Sequence, residues 1–143
     1  MPYCNTKGVR IHYEVSGEGS PLVLIHANPF DRRLWIYQVA HLSTFFKVIS
    51  VDLRGYGYSD KPTSPTSISE MNEEIVEVCR QEGAGRAIVA GISVGGVMAL
   101  QLGLDHPEIF EALVLVGCSS APGTRYPQRI EGYGTGVERY HIE

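Results

Sequence analysis

Four short runs, Leu22–Ile25, Val48–Val51, Ala87–Ala90 and Leu113–Val116, are almost entirely apolar, and stretches of helical period separate them. Runs this short and this apolar suit strands buried on both faces, as in a parallel sheet sheathed by helices. Between the first two, Trp35, Val39 and Leu42 fall at i, i+4 and i+7 after Asp31 and share one helical face. Between the next two, Ile68, Met71, Ile75, Val78 and Cys79 form a second stripe. Ser67 with Glu70 reads as a capping box at its start and Gly83 as its stop. A third helix is expected from Val94 through Leu104, ending before Pro107. Ahead of all these, Ile11, Tyr13 and Val15 alternate with Arg10, His12 and Glu14, the period of a half-exposed strand. The order is strand, strand, then βαβαβαβ, and joined by right-handed crossovers it predicts an α/β fold with a doubly wound, mostly parallel sheet, not a barrel or sandwich.

One hexapeptide stands at a junction of this pattern. Gly91-Ile92-Ser93-Val94-Gly95-Gly96 follows the run Ala87–Ala90 directly and opens the third helix. A sharp strand-to-helix turn forces its central residue into a strained conformation, and the residues two places to either side must then be tiny. Gly91 and Gly95 occupy those places. Such a turn lifts the Ser93 hydroxyl clear of the sheet, beside the N–H groups of a helix N-terminus that stabilise developing negative charge. Two nucleotide-binding readings fail on the same residues. Gly91 to Gly96 has P-loop spacing, but Val97 and Met98 stand where Lys and Ser/Thr are required, and a dinucleotide fingerprint would need glycine where Ser93 is. A second motif, His26-Ala27-Asn28-Pro29, follows the run Leu22–Ile25. The ends of parallel strands share one edge of the sheet, so this loop and the Ser93 turn open onto one crevice. The loop can supply a backbone N–H to an oxyanion whose other donor is the Val94 N–H. Asn28-Pro29 also reads as a plain turn initiator.

Composition excludes several partners. Net charge is −4 with no clustered basic stripe, which argues against nucleic acid or an anionic membrane surface. The five histidines lack metal-ligand spacing, and neither a metal nor a cofactor is expected. Three cysteines, Cys4, Cys79 and Cys118, form no CxxC pair and suit a reducing, cytoplasmic compartment. No secretory signal and no apolar run of membrane-spanning length is seen.

From about Val9 to Val116 the chain resembles the α/β-hydrolase fold superfamily. The residues that carry the likeness are His26-Ala27-Asn28-Pro29 with Trp35, Asp52-Leu53-Arg54-Gly55-Tyr56-Gly57-Tyr58-Ser59, and the Ser93 turn. His26-Ala27 departs from the family's usual His-Gly. The resemblance implies that the Asn28 N–H is an oxyanion donor, that His26 is structural, and that Arg54–Ser59 packs and pairs charge beneath the site. It implies Ser93 as a nucleophile for acyl transfer, since relatives that open epoxides or remove halides carry aspartate there. The stretch from His26 to Trp35 is most similar to small-molecule esterases and enol-lactone hydrolases.

In this superfamily an acid and then a histidine follow the serine. Here only His106 and His141 do. Twelve residues of helix would hold His106 about 18 Å from Ser93, too far to take its proton. Asp105 and Glu108 fail as the acid for the same reason, and His141 sits in an irregular tail. Residues 1–118 are therefore expected to form the N-terminal part of a hydrolase core, and residues 119–143 an incomplete cap or linker. The expected function is hydrolysis of a small acyl substrate, ester or lactone, through a Ser93 acyl-enzyme, with acid and base outside these residues. The alternative is a non-catalytic module that holds a ligand or partner in the crevice. Half a sheet exposes a strand edge, so pairing with a C-terminal half or self-association is expected. Phe30, Trp35 and Tyr58 are candidate pocket residues, with core packing the more ordinary role for each.

Overall fold

The computed structural model describes residues 2–118; the expected cap or linker at 119–143, with His141, lies outside the described residues. Six strands form one sheet: β1 (Tyr3–Thr6), β2 (Val9–Ser16), β3 (Pro21–Ile25), β4 (Lys47–Val51), β5 (Ala87–Ile92) and β6 (Phe110–Val116), in the spatial order β1-β2-β4-β3-β5-β6. β2 pairs antiparallel with β1 and β4, whereas the pairs β3–β4, β3–β5 and β5–β6 are parallel. Helices α1 (Ile36–Leu42), α2 (Ile68–Gln81) and α3 (Val94–Asp105) fill the crossovers.

The sheet is covered on both faces, which explains why the central strands are apolar at every position. Side chains alternate across a strand. Val23 and Ile25 of β3, with Ile49 and Val51 of β4, join the core beneath α2 and α3, where Met71, Ile75, Val78, Met98 and Leu102 are buried. Leu22, Leu24 and Val48 face the other way and pack with Trp35, Val39 and Leu42. The helix expected after Asp31 begins as a 3-10 turn, Arg32–Trp35, because the Asp31 carboxylate accepts the Arg33 N–H at 2.9 Å. That turn already buries Trp35.

α2 carries the end signals that its sequence predicts. The Ser67 hydroxyl accepts the Glu70 N–H at 3.1 Å, and the Glu70 carboxylate accepts the Ser67 N–H at 2.8 Å. At the other end Gly83 has φ +63°, the Ala84 N–H donates to the Cys79 carbonyl at 2.8 Å, and the Gly83 N–H donates to Arg80 at 3.1 Å. This is a Schellman closure, and a side chain at Gly83 would be strained. Ser67→Ala should cost about 1 kcal/mol of stability, read as a lower denaturant midpoint at an unchanged slope.

β1 and β2 are the two leading strands of the expected order, the first without an apolar run; Lys7 and Gly8, at φ +48° and +80°, close a two-residue hairpin between them. Two features differ from the sequence expectations. β2 is not half-exposed at His12, which is completely buried. It is flanked on both sides by strands, and the rings of Tyr3 and Tyr58 meet His12 edge-on. β6 is not buried on both faces: Leu113, Val114, Leu115 and Val116 are 37%, 48%, 42% and 41% exposed. Among the described residues β6 lies at the end of the sheet and pairs only with β5.

Candidate active site

β5 ends at Ile92 and α3 begins at Val94, which leaves a single residue to reverse the chain. That residue, Ser93, has φ +56° and ψ −119°, a conformation that side-chain-bearing residues adopt only when the surroundings impose it. The surroundings are backbone. The Ser93 N–H donates to the Val116 carbonyl at 2.9 Å, and the Ser93 carbonyl accepts the Gly96 and Val97 N–H groups at 3.0 and 3.2 Å. A Cβ at Gly91 would collide with the Gly95 carbonyl. One at Gly95 would collide with the carbonyls of Ile25 and His26, the latter at 2.7 Å. The two glycines are therefore needed for different reasons, Gly91 to let the turn fold on itself and Gly95 to let α3 approach the end of β3.

The turn leaves Ser93 exposed, and among the described residues no side chain hydrogen-bonds its hydroxyl. Val94 follows in the first turn of α3, where N–H groups have no intrahelical acceptor. On the neighbouring strand, Ile25 is paired with Gly91, so the loop that leaves β3 and the Ser93 turn emerge side by side at the carboxyl edge. Asn28 sits half-buried in that loop, before a cis peptide bond to Pro29. Sequence-predicted Ser93, Val94 and Asn28 thus come together at one edge of the sheet. Phe30 and Tyr58 are 53% and 56% exposed and so are not core residues, whereas Trp35 is.

His26 is fully buried. Its Nε2 accepts the Leu53 N–H at 3.0 Å, so the ring proton is on Nδ1, which donates to the Ala27 carbonyl at 3.0 Å. Burial holds its pKa below the ordinary imidazole value, against the opposing pull of the Ala27 carbonyl and of Asp52 and Asp31. The unfolded chain therefore binds this proton first as pH falls. The stability His26 contributes is full above the unfolded-state pKa of about 6.5 and is lost as pH drops below it toward the folded value. Melting temperature should fall from pH 7 to pH 5 with a slope that His26→Gln, which retains an acceptor, makes shallower.

Sequence reasoning did not anticipate the group beside this loop. Asp52, completely buried at the end of β4, accepts four hydrogen bonds. The Arg32 N–H reaches Oδ1 at 2.9 Å, while Arg32 Nη1, His12 Nδ1 and the Tyr58 N–H reach Oδ2 at 3.0, 2.9 and 3.1 Å. Arg32 extends to Glu14 at 2.7 Å and lies over the Tyr58 ring at 5.1 Å. Within the Arg54–Ser59 loop, Ser59 receives the His12 N–H at 2.8 Å and donates to the Asp52 carbonyl at 2.6 Å, and Arg54 pairs with Glu74 of α2. A carboxylate directly after an apolar run was the available signal: in that position it is buried and must be paired.

Among the described residues no histidine stands ready as a base. His12 and His26 are buried and engaged, and His41 is exposed on α1 against Phe45. His106 caps the far end of α3, where it meets Glu73 and Glu108. No group of His, Cys, Asp and Glu among the described residues could hold a metal ion, and no helix there is long and apolar enough to cross a membrane.

The family model described as the alpha/beta hydrolase fold matches residues 20–140. The chain belongs to the α/β-hydrolase fold family. Among curated α/β hydrolases, epoxide hydrolase 3 of Siraitia grosvenorii is 31% identical over 134 residues, 92% of this chain and 42% of that protein. The pimeloyl-[acyl-carrier protein] methyl ester esterase of Vibrio cholerae is 33% identical over 109 residues, 76% of this chain and 38% of that protein. Among solved α/β-hydrolase structures, the enol-lactonase from Burkholderia xenovorans superposes with a TM-score of 0.81 at 28% identity, covering 91% of this chain and 53% of that one. The chain spans about half the length, or less, of the curated α/β hydrolases it matches.

Proposed function

We propose that the protein hydrolyses a small acyl compound, an ester or lactone, through an acyl-enzyme on Ser93. The observation that carries this reading is an exposed alcohol held at φ +56° on a one-residue strand-to-helix turn, with glycine on both sides where no Cβ fits. In the first half of the reaction Ser93 Oγ loses its proton to a base and bonds to the substrate carbonyl carbon. The carbonyl oxygen becomes an oxyanion, held by the N–H groups of Val94 and Asn28. Its collapse breaks the bond to the leaving alcohol, which takes up the proton. Water then attacks the acyl group, releasing the acid and restoring the serine. The acid and base lie outside the described residues.

The relatives' names divide between epoxide and acyl chemistry, and the nucleophile separates them. A carboxylate that opens an epoxide forms an ester, which water can cleave. An alcohol would form an ether, which it cannot. Ser93 favours the acyl side, where the esterase and enol-lactonase relatives lie.

A fluorophosphonate probe applied to the longest natural form of the protein tests the reading. Covalent labelling, lost in Ser93→Ala, is the expected result. A folded protein that takes up no label would instead be a non-catalytic module that binds its ligand in the crevice.

A further inference from the structure

The loop from His26 to Asp31 is tied down at both ends to two consecutive residues at the end of β4. At its start, His26 Nε2 accepts the Leu53 N–H; just past its end, the Arg32 N–H donates to Asp52 Oδ1. We infer that Asp52 is a positioning residue for catalysis: its carboxylate fixes the far end of the loop that presents the Asn28 N–H, and so sets that donor's place beside Ser93. This rests on the reading of Ser93 as nucleophile and of the Asn28 N–H as an oxyanion donor.

Three observations single Asp52 out from an ordinary buried ion pair. The first is saturation. Both carboxylate oxygens are engaged, by two backbone N–H groups and two cationic or imidazole side chains, and all of these come from other segments of the chain. A carboxylate with four donors is held at a fixed orientation, which an apolar residue of equal size would not reproduce. The second is that the surroundings leave it no freedom: Gly57 packs so closely on its carboxyl group that no Cβ fits there. The third is the identity of what it holds. Its contact to the loop is to a main-chain N–H, so it places the backbone itself, and the reacting donor in that loop is also main chain. Transition-state stabilisation of this type is steep in distance, with a misplacement of about 1 Å costing on the order of 100-fold. Burying a carboxylate is costly for stability unless it is fully paired, and replacing such groups with apolar ones is often neutral or stabilising. A role in geometry accounts for its presence where a role in stability alone does not.

The test uses the longest natural form with Asp52→Asn and Arg32→Met. The first variant removes the charge and leaves a single acceptor oxygen, so an amide N–H faces either the Arg32 main-chain N–H or the donors of Arg32, His12 and Tyr58 at the other position. The second keeps the carboxylate and the Arg32 N–H but strips the guanidinium that orients the pair. Turnover of an aryl ester is expressed per fluorophosphonate-titrated serine, which removes any change in the folded fraction, and amide hydrogen exchange is followed segment by segment. In Asp52→Asn, kcat per titrated serine should fall about 10- to 100-fold with KM within a few-fold, and exchange should quicken over residues 27–32 but not in β3 or β5. Arg32→Met should show the same pattern more weakly, and carries the test should Asp52→Asn fail to fold. Wild-type kcat per titrated serine with unchanged loop exchange would overturn the inference. So would exchange that rises evenly across the sheet while kcat per serine holds. A wild-type protein that takes no label would sink the hydrolase reading, yet the exchange pattern would still decide whether Asp52 holds the loop.

Discussion

Ser93→Gly is expected to abolish ester hydrolysis while raising the melting temperature. The loss follows from removing the only group proposed to attack the substrate; single removal of a serine nucleophile costs on the order of 10⁶-fold in kcat in well-studied cases, and at least about 10⁴-fold is expected here. The gain follows from the backbone. Ser93 is held at φ +56° and ψ −119° by its bonds to Val116, Gly96 and Val97, in a region that costs a residue with a Cβ about 1–3 kcal/mol and glycine almost nothing. Glycine gives back part of this, about 0.4–1 kcal/mol, through the greater freedom of its unfolded chain. Ser93→Ala provides the control, since it loses the same oxygen but keeps the strain; it should be equally inactive and melt near the wild type. Initial rates on an aryl ester and a thermal melt of the three proteins check both halves. A glycine variant less stable than the alanine one would show that the turn is not strained.

Gly95→Val is expected to destabilise the fold severely and to lower the yield of folded protein. The position is not a matter of turn conformation, for its φ is an ordinary helical one; it is one of distance. A Cβ there would run into the main-chain carbonyls of Ile25 and His26, and backbone cannot rotate aside as a side chain does. Relief would require α3 to back away from β3, opening the core in which Val97, Met98 and Leu102 are buried. Overpacking of a compliant core costs about 1–3 kcal/mol, and a rigid backbone neighbour places this change at or above the top of that range. Total stability for a domain is only about 5–15 kcal/mol. Soluble yield and far-ultraviolet circular dichroism would report the outcome. Gly85→Ala is the contrasting control, because nothing lies within 4 Å of a Cβ there.

The parallel core was legible because both of its faces are covered: Leu22 and Leu24 serve one helix layer and Val23 and Ile25 the other, so every position must be apolar. Ser67, Glu70 and Gly83 were legible because end signals are local, needing only neighbours within a turn. The Ser93 junction combined the two, a local glycine pattern placed by a long-range strand. His12 was misread because an alternating strand gives no indication of whether its polar side meets water or an aspartate forty residues away. The pairing of Asp52 with Arg32 was hidden for the same reason, since it exists only once β2, β4 and the loop after β3 are brought together at the end of the sheet. The apolar run of β6 overstated its burial because such a run reports the demand for cover and not its supply, whereas an exposed strand edge was expected of half a sheet.

Gly95 also has a consequence for how such proteins diversify. Because α3 rests on the carbonyls that end β3, the Ser93 turn and the loop bearing Asn28 are joined main chain to main chain. The oxyanion donors proposed for each belong to the peptide backbone. Exchange of Phe30, exposed in the loop after β3, can then reshape what the crevice would admit without disturbing the frame that would carry out the reaction. A lineage built on this arrangement is free to change its diet while keeping its chemistry.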